Sequence, residues 1–252
     1  MCCGQKRKNA AFTLMSTLFI IKAGTTFPEV AETYGDFDLW TIKAMGLSED
    51  EAVVIDVQNG ALLPDPKECM GVVITGSHAM VTDHLPWSDR LIEWIPEIIR
   101  ENIPFFGICY GHQLLAEAMG GEVGFHPGGK EIGTVDIELS SESDKDPLFK
   151  TMPKRFSAHV THSQCVLRLP PGAVNLAFND FEPCHAFRSG DCAWGVQFHP
   201  EYNIDIMKGY IIQQADELKS SGRDIDEIMM TLKETAESTK IMKRFADLVH
   251  IK

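Results

Sequence analysis

PFFGICYGHQLLAEAMGG, residues 104–121, passes from an apolar strand straight into a helix, with Cys109 at the corner. Residues 104–108 form a short apolar run, and residues 110–119 carry helical spacing that glycines 120 and 121 then end. Gly107 and Gly111 flank the corner, where a Cβ would hold strand and helix apart. G-I-C-Y-G therefore has the form of a nucleophile elbow, a sharp turn that presents its central side chain. Cys109 would stand at a helix N-terminus, beside unpaired amides and the positive end of the dipole, a setting that favours the thiolate. The amide of Tyr110 would point at any oxyanion formed by attack of that sulfur. Most cysteines are small core fillers, and that is the expected role of the other six.

Outward from the corner, the chain alternates. β-rich runs stand at 52–57, 71–76, 104–108, 133–139, 173–178 and 192–198, and a first strand is expected in TLFIIKAG before a helix beginning near Pro28. Helical patterns fall at 29–45 (broken near Gly35), 87–100, 110–119, 203–219 and about 224–250. Continuous apolar strands separated by amphipathic helices predict an α/β fold with an open, mostly parallel twisted sheet covered on both faces. From 122 to 198 the strands follow one another with turns between them, which predicts an antiparallel extension of the sheet. There is no internal repeat, low-complexity linker or transmembrane span.

With 252 residues, 44% of them apolar, the chain reads as one domain at 15–252, whose C-terminal helices start near 203. QKRKNAAFTLMSTLFIIKAG has the outline of a signal peptide, but Lys22 closes the apolar run without a clear cleavage site. Residues 1–14 are instead expected to be a disordered leader ahead of Met15. A net charge of -13 argues against a nucleic-acid or anionic-membrane surface. Seven scattered cysteines without C-x-x-C suggest neither a disulfide framework nor a zinc site, and fit a reducing cytoplasm.

A thiol nucleophile needs a base and a group to orient that base. In WGVQFHPEY, His199 lies just past the end of an apolar strand, where open α/β sheets build their sites. Glu201, two residues on, is close enough to accept a hydrogen bond from the imidazole and fix its tautomer. Alone, H-P-E is a weak signal; with the elbow upstream it is a strong one.

The combination GICYGHQ with VQFHPE resembles the class I, triad-type glutamine amidotransferases, nearest to stand-alone proteins like the amidotransferase domain of GMP synthase. The likeness covers nearly all of residues 15–202, including VVITGSHAMVTDHLPW and GGEVGFHPGGKEIGTVDIEL. It implies the flavodoxin-like fold of that family and a Cys109-His199-Glu201 triad. Cys109 would attack the side-chain amide of glutamine, His199 would relay the proton to ammonia, and water would resolve a γ-glutamyl thioester. The resemblance further assigns the backbone of Gly76 and Tyr110 to the oxyanion hole. Gln113 and the loop Thr161-His162-Ser163-Gln164 would bind substrate, with Thr161, Ser163 and Gln164 meeting its α-amino and α-carboxylate groups. Here Ser163 and Gln164 replace the Gly-Asp usual in GMP synthases.

The remaining signals are weaker. His112 reads as structural, and His78, His84 and His126 as loop residues around the site mouth. Trp40, Trp87 and Trp94 read as core. The glycines at 120–121 and 128–129 lack a P-loop lysine and serine in register, so no nucleotide, metal or other cofactor is expected. Ile225, Ile228, Met229, Leu232, Ile241, Met242, Phe245 and Leu248 form an apolar stripe best explained by packing on the domain. No second domain and no S-G-G-x-D-S pyrophosphatase loop are present, so this chain alone would not make GMP. The expected partners are a small substrate and a separate synthetase subunit. The alternative is a stand-alone hydrolase of γ-glutamyl peptides or conjugates.

Overall fold

The computed structural model describes residues 17–250; the expected leader at 1–14 and Met15 lie outside them. The chain forms β1 (Thr17–Lys22), α1 (Pro28–Tyr34), α2 (Phe37–Met45), β2 (Val53–Asp56), β3 (Cys69–Ile74), α3 (Pro86–Arg100), β4 (Phe105–Ile108) and α4 (Tyr110–Ala118). There follow β5 (Glu122–Phe125), β6 (Glu131–Leu139), β7 (Arg155–His162), β8 (Gln164–Arg168), β9 (Val174–Phe178), β10 (Ala186–Ser189) and β11 (Ala193–Val196). The chain closes with α5 (Ile204–Gln213), α6 (Ala215–Ser220), α7 (Ile225–Met230) and α8 (Ala236–His250).

Nine strands make one sheet in the order β2-β1-β3-β4-β11-β10-β9-β6-β7, and β5 pairs with β8 in a second, small sheet. The first five run parallel, while β10, β9, β6 and β7 are added antiparallel to their neighbours. The parallel strands are continuous apolar runs because both faces are covered. One face packs Leu18, Ile20, Val73, Phe106 and Trp194 with α2 and α8; the other packs Phe19, Ile21, Val72, Ile74 and Phe105 with α3 and α4. The expected mostly parallel α/β sheet with an antiparallel extension is the fold observed.

Pairing brings distant sequence together at one sheet edge. β11 lies beside β4 with Val196 opposite Ile108, and Cys109 N donates to Val196 O at 2.8 Å. The elbow and the H-P-E segment therefore emerge side by side from the carboxyl ends of neighbouring strands.

Three expectations need correction. The helix expected at 203–219 is two, α5 and α6, parted at Gln214, whose side chain donates to Tyr210 O at 3.1 Å and to Thr161 Oγ1 at 3.3 Å. The helix expected at 224–250 is likewise two, because the intervening segment is pinned to β6 by Lys233 N donating to Thr134 Oγ1. Its apolar stripe consequently serves two places: Ile225, Ile228, Met229 and Leu232 pack with Val30, Tyr202 and Tyr210, whereas Ile241, Met242 and Phe245 pack on the central sheet. Trp40 and Trp94 are core as expected, but Trp87 is only half-buried and lies against the Tyr110 ring at 5.5 Å.

Candidate active site

Cys109 adopts φ 49° and ψ -92°, outside the ordinary conformations of a residue with a Cβ. Neighbouring glycines make this turn possible. A Cβ on Gly107 would meet Gly111 O at 2.3 Å, and one on Gly111 would meet Ile74 O at 2.5 Å. The first helical hydrogen bond, Gln113 N to Cys109 O at 3.1 Å, starts α4 directly at the corner. Tyr110 OH donates to Ser88 Oγ at 2.7 Å and ties α4 to α3.

His199 follows β11 and is fixed from the far side of the site, its N–H donating to His159 O at 2.8 Å. His199 Nδ1 and Glu201 Oε1 are 2.8 Å apart, and both residues are buried. Burial alone would lower the pKa of this imidazole, but the Glu201 carboxylate and the adjacent Cys109 sulfur raise it to about 10. Its Nε2 is buried without another hydrogen-bond partner among the described residues, free to carry a proton. The Tyr202 ring stacks on the imidazole at 4.1 Å and holds its plane.

Gly76 follows β3 so closely against this ring that a Cβ there would lie 3.0 Å from His199 Cε1. Cys109, Tyr110, Gln113, Thr161, Ser163, Gln164 and His199 all line one cleft of about 330 Å³. The expected site residues are thus brought together, with two qualifications of role. Both amide hydrogens of Gln113 are engaged, with Gln164 O at 2.8 Å and Gln197 Oε1 at 3.0 Å. The Gln164 side chain turns into the core, where it accepts from Val81 N at 3.0 Å and donates to Thr82 Oγ1 at 2.6 Å. His162 bonds Gln164 O through Nδ1 and the buried Glu131 through Nε2, at 3.0 and 2.9 Å, so the loop is braced from beneath.

Of the remaining histidines, His78 lines the cleft, its Nε2 3.1 Å from Tyr210 OH. His84 is exposed and 3.4 Å from Asp89; His126 stacks on Phe181 outside the cleft. His112 is fully buried against the Phe187 ring, as its structural reading required. Ligand atoms of His126, Cys165 and Glu182 lie within 4.8 Å of one another, but both His126 nitrogens are already hydrogen-bonded, to Phe181 O and Gly128 N. Burial pushes the thiols of Cys69 and Cys165 up to about 12 and that of Cys184 well above its ordinary value, so these three are held protonated.

The sequence reading missed several residues. Gln197 donates from Nε2 to Cys109 Sγ at 3.4 Å; it lay within VQFHPE but carried no assignment. Lys130, Tyr202, Tyr210 and Glu217 line the cleft from segments with no local signal. Lys130 and Glu217 are 87 residues apart and meet only in the fold.

The family model for glutamine amidotransferase class-I matches residues 46–216, which include Gly76, Cys109, His199 and Glu201. The chain belongs to this family. This amidotransferase is 33% identical over 147 residues to one of the subunits of the glutamine-hydrolyzing GMP synthase of Pyrococcus furiosus, covering 56% of this chain and 73% of that protein. It is 28% identical over 225 residues to gamma-glutamyl peptidase 5 of Arabidopsis thaliana, covering 87% and 88%. The crystal structure of a glutamine amidotransferase from Thermotoga maritima superposes with a TM-score of 0.74 at 24% identity, over 93% of this chain and 98% of that one, which shows the shared fold. Against other curated relatives the match is partial: it spans 60% of one from Saccharomyces cerevisiae and 24% of the GMP synthase of Aeropyrum pernix. Among the described residues no helix is long and apolar enough to cross a membrane.

Proposed function

We propose that this amidotransferase hydrolyses the side-chain amide of glutamine through a cysteine thioester, with Cys109, His199 and Glu201 as its catalytic residues. The observation that carries the reading is the strained Cys109 corner facing an imidazole whose other nitrogen is bound to a buried carboxylate. With His199 raised to about 10, the resting pair is thiolate and imidazolium. The sulfur attacks the amide carbon, forming a C–S bond. Backbone N–H groups of Gly76 and Tyr110 hold the oxyanion. The His199 proton passes to the leaving nitrogen, the C–N bond breaks and ammonia departs. Water then attacks the thioester while His199 takes its proton, releasing glutamate and restoring the thiolate–imidazolium pair. Glu201 orients the ring and stabilises its charge without itself transferring a proton.

The Pyrococcus relative is named as one subunit of a GMP synthase. That name supports a separate synthetase receiving the ammonia, in the cytoplasm. A second reading, hydrolysis of γ-glutamyl peptides or conjugates, is favoured by the cleft wall beyond His199. There Phe27, Phe37, Tyr202 and Tyr210 offer more apolar surface than departing ammonia would fill. Steady-state rates on glutamine and on a γ-glutamyl dipeptide panel separate the two. Ammonia release from glutamine dominates under the first reading; fast dipeptide cleavage with negligible glutamine turnover would replace it with the second. Inactivity on both, in protein whose Cys109 alkylates readily, would remove the γ-glutamyl reading altogether.

A further inference from the structure

A γ-glutamyl substrate presents an α-carboxylate and an α-ammonium, and the loop assigned to them supplies no charged side chain of its own. Ser163 and Gln164 stand there, and the Gln164 side chain is committed to Val81 and Thr82. Histidines aside, Lys130 and Glu217 are the only charged residues among the described residues lining the cleft. Lys130 Nζ lies 3.0 and 3.1 Å from the two Glu217 carboxylate oxygens.

The pair spans the mouth from two elements. Lys130 immediately precedes β6, and Glu217 is on α6. Both supports are fastened near the substrate loop: Arg223 Nη1 donates to Lys130 O at 3.1 Å, and Gln214 joins the α5–α6 corner to Thr161. The Lys130 side chain is 19% exposed and that of Glu217 62%, so the lysine is set into the wall and the carboxylate stands at the rim.

We propose that Lys130 and Glu217 recognise the zwitterionic head of the substrate, Lys130 taking the α-carboxylate and Glu217 the α-ammonium. This rests on the γ-glutamyl reading of the site. Without substrate the two charges neutralise each other. An ion pair open to water contributes little by itself, so it exchanges partners readily. An incoming amino-acid head replaces one opposite-charge contact with two. A substrate lacking either charge leaves one partner unmatched, and so the pair selects free γ-glutamyl compounds over internal peptide glutamines. Because the contact exists before and during the reaction alike, it acts on KM and not on kcat.

The test compares two reagents that alkylate Cys109: the chloroketone analogue of glutamine, and its des-amino counterpart, which keeps the carboxylate. Alkylation is read by mass on the intact protein and by peptide mapping, so it does not depend on turnover. Wild type should react about ten-fold faster with the complete analogue, and Glu217→Gln should abolish most of that preference while leaving the des-amino rate within about two-fold. Lys130→Met should slow both reagents by about ten-fold. For glutamine hydrolysis, KM should rise by about ten-fold in either variant, with kcat within about two-fold. Equal slowing of both reagents by Glu217→Gln, or an intact preference in that variant, would overturn the assignment. If neither chloroketone labels wild-type Cys109 although iodoacetamide does, the γ-glutamyl reading fails and the recognition pair fails with it.

Discussion

Around Cys109 and His199 the cleft is built from the ends of two paired strands, buried and held by backbone hydrogen bonds. Around Lys130 and Glu217 it is built from a loop and a short helix, open to water and joined by side chains. The inner wall places a sulfur and an imidazole where small displacements would be costly, since attack and proton transfer depend on tenths of an ångström. The mouth needs only complementary charge, so flexible side chains from distant segments suffice. Substitutions inside should therefore act on turnover, and substitutions at the mouth on selection.

The largest effect expected is from Cys109→Ala. It removes the only thiol among the described residues lining the cleft. Glutamine or γ-glutamyl hydrolysis should fall by more than about 10³-fold, leaving only background. Circular dichroism and melting should stay close to wild type, because alanine replaces a small side chain in the same backbone. Retained turnover in this variant would move the nucleophile elsewhere. Peptide mapping with a limiting chloroketone should find the first label on Cys109, since Cys69, Cys165 and Cys184 are held as thiols.

Next come the two partners of the sulfur, which should separate in size and in kind. His199→Ala should lose about 10²–10⁴-fold, because the imidazole gives and takes a proton in both half-reactions. Glu201→Gln should lose less, as the carboxylate orients and stabilises but does not transfer. It should also change the pH profile. Glu201 helps to raise His199 to about 10, so without that charge the alkaline limb of kcat/KM moves to lower pH. An unmoved alkaline limb would show that it belongs to another group.

How much of this comparison was visible in the chain follows from its own division. β1, β3, β4 and β11 are nearly continuous apolar runs, and the glycines around Cys109 mark a turn that admits few alternatives. The inner wall was accordingly legible, down to His199 just past its strand. β7 was not: RFSAHVTH carries polar residues whose partners lie far off in sequence, Thr134 for His159 and Glu131 for His162. Such residues read as loop until the facing strand is known. Gln214 breaks a helical pattern through bonds to Tyr210 and Thr161, which its own neighbourhood does not announce. The mouth is made of long-range pairs of this kind, which is why sequence periodicity passed over Lys130 and Glu217.

Smaller, and spread over the antiparallel side, is the expected loss of stability in acid. Burial lowers His112 and His185 to about 3 and His159 to about 4. The unfolded chain therefore binds up to three more protons at these sites once the pH drops below about 6.5, the ordinary histidine value. Each site contributes a slope of about 1.4 kcal/mol per pH unit until its folded pKa is reached. His199 acts oppositely: its stabilisation is whole below about 6.5 and is lost as pH rises through about 10. Urea unfolding from pH 6.5 to 4.5 should show the acid loss, and His185→Gln should flatten it by about one proton. A wild-type profile that is flat in this range would mean the three imidazoles are already charged in the folded protein.

The smallest effect expected is at the junction of the two regions, in Tyr210→Phe. Tyr210 OH lies 2.7 Å from Thr26 Oγ1 and 3.1 Å from His78 Nε2, while its ring lies 5.0 Å from that of Tyr202, which stacks on His199. One hydroxyl on α5 thus joins the loop after β1 to Gly76-Ser77-His78, the segment proposed to hold the oxyanion. Phenylalanine keeps the ring and its packing with Phe27 and removes only these bonds. The lost hydrogen bonding should destabilise the fold by about 0.5–1.5 kcal/mol. The segment at 76–78 would keep its place after β3 but lose a brace, so kcat should fall by about two- to ten-fold with KM for glutamine little changed. That split distinguishes the brace from the mouth, where Glu217→Gln is expected to change KM alone. If Tyr210→Phe instead raised KM and spared kcat, α5 would belong with the recognition side of the cleft, and the boundary between its two walls would lie between Tyr210 and Tyr202.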